Sequence, residues 1–306
     1  MRVTNSMLFD RAARDGDAAR SRMDQATARV SSGTKLVQPG DDPAAAGLVA
    51  LERIHQGQFD AIATTAGRAS DELTAADGAL NTVSNALARA RELAVQLSNG
   101  SYAASDRAAG ATEVKGLIST IVSALNTKVG DRYIFGGTRD DAAPFDGIVT
   151  DASGNVDAAL TGAYHGDTLV RQVEIAPGVL QDASVRADVA LKGAGGGTDV
   201  LATLANLANA LSANDPTAVA ATLTGLTQGT TQVATARGMA GANMATLDAA
   251  VTANQSARDD AQKRIASLAD ADPIQAASDL AAAEQALQAS LTATAQSIQF
   301  TLLNKL

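Results

Sequence analysis

From Phe59 to Leu97 apolar residues recur at alternating steps of three and four. The series is Phe59, Ile62, Ala66, Ala69, Leu73, Ala76, Leu80, Val83, Leu87, Ala90, Ala94 and Leu97. A seven-residue repeat sustained over this span keeps one seam of a helix turned toward a partner helix, with left-handed supercoiling. At a rise of ~1.5 Å per residue the seam is about 57 Å long. Helices of ordinary globular domains average only ~11–12 residues, so a repeat of this length predicts a rod.

Proline and glycine mark where such helices stop. The six prolines are Pro39, Pro43, Pro144, Pro177, Pro216 and Pro273, leaving 44–143 and 217–272 free of them. Asp42-Pro43, Asp215-Pro216 and Asp272-Pro273 each read as a helix start. The carboxylate accepts an orphan N–H, and proline at the first helical position has none to lose. Asn99-Gly100 predicts a helix end, and Ser105 is the expected cap of the next helix. That helix carries the seam Ala111, Val114, Ile118, Ile121 and Leu125. A third seam runs through Met244, Leu247, Val251, the polar Asn254 and Arg258, then Ala261, Ile265 and Leu268.

Between the helical stretches the composition changes. Twelve of the 26 glycines lie from Gly130 to Gly197, together with Tyr133, Phe135, Phe145 and Tyr164. Strands are expected at 147–150, 167–175 and 185–191, with turns at 152–155 and 176–178. Two short helices are expected at 198–212 and 216–227. The chain thus reads as mainly α, with helical N- and C-terminal arms and a small α+β, β-rich insert in the middle. Sixty-eight alanines and only 3% aromatics suit thin helix–helix packing better than one thick core.

Chemistry is scarce. Without cysteine there is no thiol nucleophile, disulfide or Cys-ligated zinc, and His55 and His165 are too few for a three-histidine site. His55 is expected as a partly buried seam residue and His165 in a turn. Gly193-Ala-Gly-Gly-Gly-Thr-Asp lacks the Gly-Lys-Ser/Thr of a P-loop and reads as a flexible hinge. Asp41-Asp42 reads as capping rather than a calcium site. We therefore expect no enzyme, no cofactor and no metal. The net charge of −9 disfavours nucleic acid, and no apolar run reaches the ~18 residues of a membrane helix. The N-terminus shows no apolar signal-peptide segment. The ends differ in charge: residues 1–35 carry +3 and residues 270–306 carry −3, which favours their pairing.

Two separated signatures then resemble one family. Arg2-Val-Thr-Asn-Ser-Met, Val30-Ser-Ser-Gly-Thr-Lys-Leu-Val-Gln-Pro-Gly-Asp-Asp-Pro and Arg89-Ala-Arg-Glu-Leu-Ala-Val-Gln-Leu resemble the N-terminal region of bacterial flagellins and their relatives. Ala286-Leu-Gln-Ala-Ser-Leu and Leu302-Leu-Asn-Lys-Leu are similar to the matching C-terminal region. Tyr133-Ile-Phe-Gly-Gly-Thr, Pro144-Phe145 and Tyr164-His-Gly-Asp resemble the hook–filament junction members of that family. Pro273 departs from the family pattern.

The resemblance implies an antiparallel helical rod built from 46–130 and 230–269, with an outer domain at 131–229. Residues 1–45 and 270–306 would be terminal assembly helices of an inner core, disordered in the monomer. It implies a structural adaptor linking hook to filament, the alternative being flagellin, the filament subunit itself. The implied partners are further copies in a ring or layer, a neighbouring hook-associated junction protein, flagellin, an export chaperone and the type III export apparatus. The implied destination is the extracellular flagellum, without a cleaved signal peptide. The expected assembly and chaperone surface comprises Leu280, Leu287, Leu291, Ile298, Leu302 and Leu303, with Met7, Leu8, Met23 and Val30. The expected rod seam comprises Phe59, Ile62, Leu73, Leu80, Val83, Leu87, Leu97, Ile118, Ile121, Leu125, Leu247, Val251, Ile265 and Leu268.

Overall fold

The structure, a computed structural model, describes the backbone of residues 2–303 and the side-chain surroundings of Met7 and of residues 10–296. Helices α1 (Arg2–Ser32), α2 (Pro43–Leu97) and α3 (Ala104–Leu125) come first. Two hairpins follow, β1 (Lys128–Val129) with β2 (Arg132–Tyr133), and β3 (Gln172–Ala176) with β4 (Val179–Asp182), both antiparallel. Helices α4 (Ala187–Leu191), α5 (Val200–Ser212), α6 (Pro216–Ala269) and α7 (Pro273–Leu303) complete the order.

All three Asp-Pro starts cap their helices. Asp42 Oδ1 accepts from the Ala45 amide at 3.0 Å. Asp215 Oδ1 accepts from Thr217 and Ala218, and Asp272 Oδ1 from Ile274 and Gln275. Each satisfies donors that the first helical turn would otherwise leave orphaned. Ser105 does not cap α3. Ala103 holds the cap position, and its amide donates back to the carboxylate of Asp106 at 3.1 Å.

The chain forms two compact units. The larger spans residues 59–255. In it every residue of the α2 series from Phe59 to Leu97 is buried or half-buried, and Leu73, Leu80, Val83 and Leu87 are almost wholly enclosed. They join Ala111, Val114, Ile118, Ile121 and Leu125 of α3 in one core. Helix α5 adds Leu201, Leu204, Leu207 and Leu211, and α6 adds Val219, Leu226, Val233, Ala240 and Leu247 at strict seven-residue intervals. Each enclosed leucine or valine contributes about 1.5–3 kcal/mol over an exposed one.

Several local expectations are corrected here. The second short helix does not end near residue 227 but runs unbroken to Ala269. Two of the glycines along it, Gly225 and Gly229, sit under closely packed neighbours: a Cβ at Gly229 would stand 3.0 Å from Val200. Residues 185–191 do not form a strand; 187–191 are α4, whose Ala187, Ala190 and Leu191 enter the core. Residues 147–150 are irregular apart from a single bridge, Thr150 to Val156. The strand expected at 167–175 begins only at Gln172, and its partner is β4 across Pro177-Gly178, with a bulge between Glu174 and Ala176. Gly193–Gly197 is not a loose hinge. Gly197 N–H bonds the Gly193 carbonyl, Thr198 N–H bonds Gln232 Oε1, and Lys192 pairs with Asp199 at 2.5 Å.

The smaller unit comprises residues 1–58 and 256–306. Helices α1 and α7 pack together. The start of α2 meets the end of α6 around Val49, Ile265 and Ala269, with Leu36 and Leu268 against them. The segment before α2 is stitched to that end of α6. Lys35 N–H donates to Ala269 O at 2.7 Å, Ala271 N–H to Gly33 O at 2.9 Å, and Lys35 Nζ to Ser267 O.

Candidate assembly surface

Helices α1 and α7 meet along a seam of small residues. On α1 a series of half-buried or buried positions runs through Ala12, Gly16, Ala19, Met23 and Ala26, with Ala28 and Arg29 also half-buried beyond it. On α7 they are Ala276, Leu280, Ala283, Leu287, Ser290 and Thr294. Both series step by three and four, the spacing of a coiled-coil seam. Gly16 lies opposite Ser290: a Cβ added there would stand 3.7 Å from Ser290 Oγ.

This seam divides the residues expected to act together. Met23, Leu280 and Leu287 face the partner helix within the chain. Met7, Val30 and Leu291 do not: they are 64%, 43% and 58% exposed. The side chains of Leu8, Ile298, Leu302 and Leu303 lie outside the described residues. Ile274, at the start of α7, is 83% exposed and lies outside the residue set expected from sequence. A second outward group is Leu48, Leu51 and Ile54 on α2, off the seam that buries Ala45 and Val49. Its step of three is present in the sequence, but the stronger seam beyond Phe59 masks it.

Among the expected rod residues, Ile62, Leu73, Leu80, Val83, Leu87, Leu97, Ile118, Ile121, Leu125, Leu247 and Ile265 are buried. Phe59, Val251 and Leu268 are half-buried. His55 is exposed, contrary to expectation, with Nδ1 3.9 Å from Glu52. It lies outside the buried face because Glu52 and Gln56 take the inward positions there. Glu52 bonds Arg264 at 2.9 Å and Gln56 bonds Gln262 at 2.9 Å. The Arg264 guanidinium holds the Glu52 carboxyl below its ordinary range.

Arg107 is a bracing residue that sequence reasoning passes over. It is buried, yet no carboxylate bonds it among the described residues. Instead Nε donates to Leu97 O at 3.0 Å and Nη2 to Asn99 O at 2.8 Å. Nη1 reaches Tyr102 O and Asn214 Oδ1, at 3.0 and 2.7 Å. Asn214 sits at φ 55° in the turn between α5 and α6. One guanidinium fork thus ties the α2–α3 turn to the α5–α6 turn.

The entry to the insert gathers three scattered motif pieces. Tyr164 Oη lies 3.0 Å from Phe135 O and 2.9 Å from Asp167 O, two acceptors for one proton. Its ring packs against Phe145 at a tilt of 45°, with centroids 5.1 Å apart. Asn126 clamps Phe145 by both its backbone groups. His165 bonds Asp146 at 2.7 Å on the surface. Burial and nearby Asp188 and Asp167 push the Tyr164 phenol up to about 12, so it stays protonated. Gly137 has φ 72°, and a Cβ there would collide with Asp167 Oδ1. That carboxylate accepts the Thr138 and Leu169 amides. Among the described residues no three His, Cys, Asp or Glu side chains converge as metal ligands. The side chains gathered here brace the backbone; the exposed apolar residues of the terminal helices offer contact.

Residues 4–140 match the profile of the bacterial flagellin N-terminal helical region. This part of the chain is similar to the N-terminal helical region of the bacterial flagellins. Flagellar hook-associated protein 3 of Salmonella typhimurium is 27% identical over 58% of this chain and 53% of its own length. A flagellin of Listeria monocytogenes is 34% identical over 34% of this chain and 37% of its own. The chain spans about half the length of the curated hook-associated relatives it matches. Among solved structures, one named as a flagellar hook-associated protein from Vibrio parahaemolyticus superimposes with a TM-score of 0.65. It is 23% identical and covers 75% of this chain and all of its own, so it shares the fold. As in that fold, this chain is mainly α, with helical arms and a small mixed insert.

Proposed function

We propose that this chain is a structural subunit of the bacterial flagellum, a junction protein that links hook to filament. The observation that carries the reading is the division of faces on the terminal helices. The α1–α7 seam is built mostly of Ala, Gly, Ser and Thr, and buries little apolar area. Meanwhile Met7, Val30, Ile274 and Leu291 point outward. A thin seam gains little of the ~25 cal/mol per Å² that apolar burial yields. Ordering of residues 1–45 and 270–306 then depends on neighbouring copies, which cover the outward residues.

The match to hook-associated protein 3 covers 58% of this chain and that to a Listeria monocytogenes flagellin 34%, which supports junction over filament. On this reading residues 46–130 and 230–269 are the rod, and 131–229 the outer domain. The partners are copies in the same layer, a neighbouring hook-associated junction protein on one side and flagellin on the other. An export chaperone covers the C-terminal helix before passage through the type III apparatus to the cell exterior. The protein acts by binding and not by catalysis.

Leu291→Asp tests this, because Leu291 lies off the α1–α7 seam. The variant should keep the helicity of the purified parent and yet fail to build functional junctions in cells. Normal motility and normal filaments in that strain would overturn the reading. A second arm adds short filament seeds to the purified protein. Long regular filaments of this chain alone would make it a flagellin.

A further inference from the structure

The α2–α3 turn carries a feature that neither packing nor assembly uses. Asn99 is the one asparagine in the chain followed by glycine. Both residues are exposed. Asn99 Oδ1 accepts two hydrogen bonds from Ser101, from its N–H at 3.0 Å and its hydroxyl at 2.7 Å. The Gly100 N–H has no acceptor among the described residues, and the space where a Cβ would lie is empty. Other loop asparagines differ. The amide after Asn155 donates to Asn209 Oδ1, that after Asn214 to Ala210 O, and that after Asn126 to Ala124 O. Asparagines within the helices are followed by amides in the helical ladder.

We propose that Asn99 is a site of spontaneous deamidation, with water as the only co-reactant. The Gly100 nitrogen, its proton lost to solvent base, attacks Asn99 Cγ. Negative charge develops on Oδ1, where the two Ser101 donors already point; donors set in place before charge develops lower such barriers. The bond from Cγ to the side-chain nitrogen then breaks, and that nitrogen takes up a proton and leaves as ammonia. The resulting five-membered succinimide is opened by water at either carbonyl. One opening gives aspartate at position 99. The other gives isoaspartate, in which the main chain runs through the former side chain and gains a methylene. In the isoaspartate the former main-chain carbonyl of residue 99 becomes a carboxylate. That oxygen is the one Arg107 Nη2 holds at 2.8 Å, so the product converts a neutral acceptor of a buried guanidinium into an ion pair.

The full-length protein, held folded at mildly alkaline pH and digested at intervals, should show replacement of the amide by hydroxyl at Asn99 before any other asparagine. Aspartate and isoaspartate forms should separate on chromatography. Gly100 is not in the left-handed region, so Gly100→Ala fits the turn. It should slow conversion by about tenfold through crowding of the attacking nitrogen. Ser101→Ala, which removes one of the two donors, should slow it several-fold. Both variants should keep the parent's circular dichroism. Conversion of Asn99 no faster than of Asn155 or Asn214 would overturn the proposal, and an unchanged rate in Ser101→Ala would overturn the role of the donors.

Discussion

The side-chain nitrogen of Asn254 on α6 lies 2.8 Å from the backbone oxygen of Ile175 on β3, and equally close to Ala250 O one turn back. Asn254 occupies a position where the preceding sevens carry Leu247, Ala240 and Val233. A polar residue in an apolar seam is costly unless its hydrogen bonds are made, and here they are made to a hairpin rather than to another helix. Gln181 on β4 bonds Asn243 at 3.1 Å, and Arg171, next to β3, pairs with Glu72 on α2. The two-stranded sheet, marginal alone, is thus pinned to the helices by side chains.

Asn254→Leu should preserve α6 and loosen the hairpin. The lost bond leaves the Ile175 carbonyl without its partner, a destabilisation of about 1–3 kcal/mol. Hydrogen exchange is the decisive measurement: amides of 172–182 should exchange faster while those of α6 between 219 and 247 stay protected. Uniform acceleration across both would refute a pinning role.

Arg107→Lys should fail to replace arginine. A lysine ammonium is a point charge with three donors and does not reproduce the fork that reaches Leu97, Asn99, Tyr102 and Asn214. We expect a loss of roughly 3 kcal/mol in denaturant unfolding for Lys and at least as much for Met. A lysine variant as stable as the parent would show that the charge alone suffices.

Gly16→Ala should stabilise the terminal pair. The added methyl meets Ser290 Oγ at an ordinary contact distance. Replacing glycine in a helix interior by alanine gains about 0.5–1 kcal/mol. Circular dichroism should show a higher melting midpoint for the terminal helices. A drop would mean that the two backbones approach more closely than the structure shows.

Acid should loosen the meeting of α2 and α6 in the smaller unit. Arg264 lowers the folded-state pKa of Glu52, so this group's contribution is present above its unfolded value. It is lost as pH falls through the lowered folded value. Glu52→Gln should abolish that part of the acid response. An NMR titration in which Glu52 protonates at or above its ordinary value would contradict the sign.

The long seam from Phe59 to Leu97 is legible because Phe59 and Ile62 open it and from Leu73 onward leucines stand at every second or third position of the repeat, and bulk at heptad spacing marks a face that must be covered. The α1 seam is not legible in that way. Ala12, Gly16, Ala19 and Ala26 look like any other alanines and glycines in a chain with 68 alanines, and only a partner helix reveals which of them are inward. For the same reason the large residues Met7, Val30 and Leu291 group in sequence with Met23, Leu280 and Leu287 as one stripe, whereas the helix places them on different faces. Val185 to Leu191 resembles a strand because Val185, Ala187, Val189 and Leu191 alternate with Arg186, Asp188 and Ala190. Burial of Ala187, Ala190 and Leu191 on a single turn outweighs that local preference. The roles of Arg107 and Asn254 arise from partners 107 and 79 positions away, and no local pattern announces them.

The Asp-Pro caps have an evolutionary consequence. Helices α2, α6 and α7 each begin at a fixed residue, so the phase of the inward face is set from one end. Removing a single residue downstream would rotate everything beyond it by about 100° and turn the buried stripe to solvent. Lengths in this architecture can therefore change without refolding only in steps of seven, and a step lost from α2 must be matched by one from α6. Relatives of different size should differ freely in their loops and in multiples of the heptad along their helices.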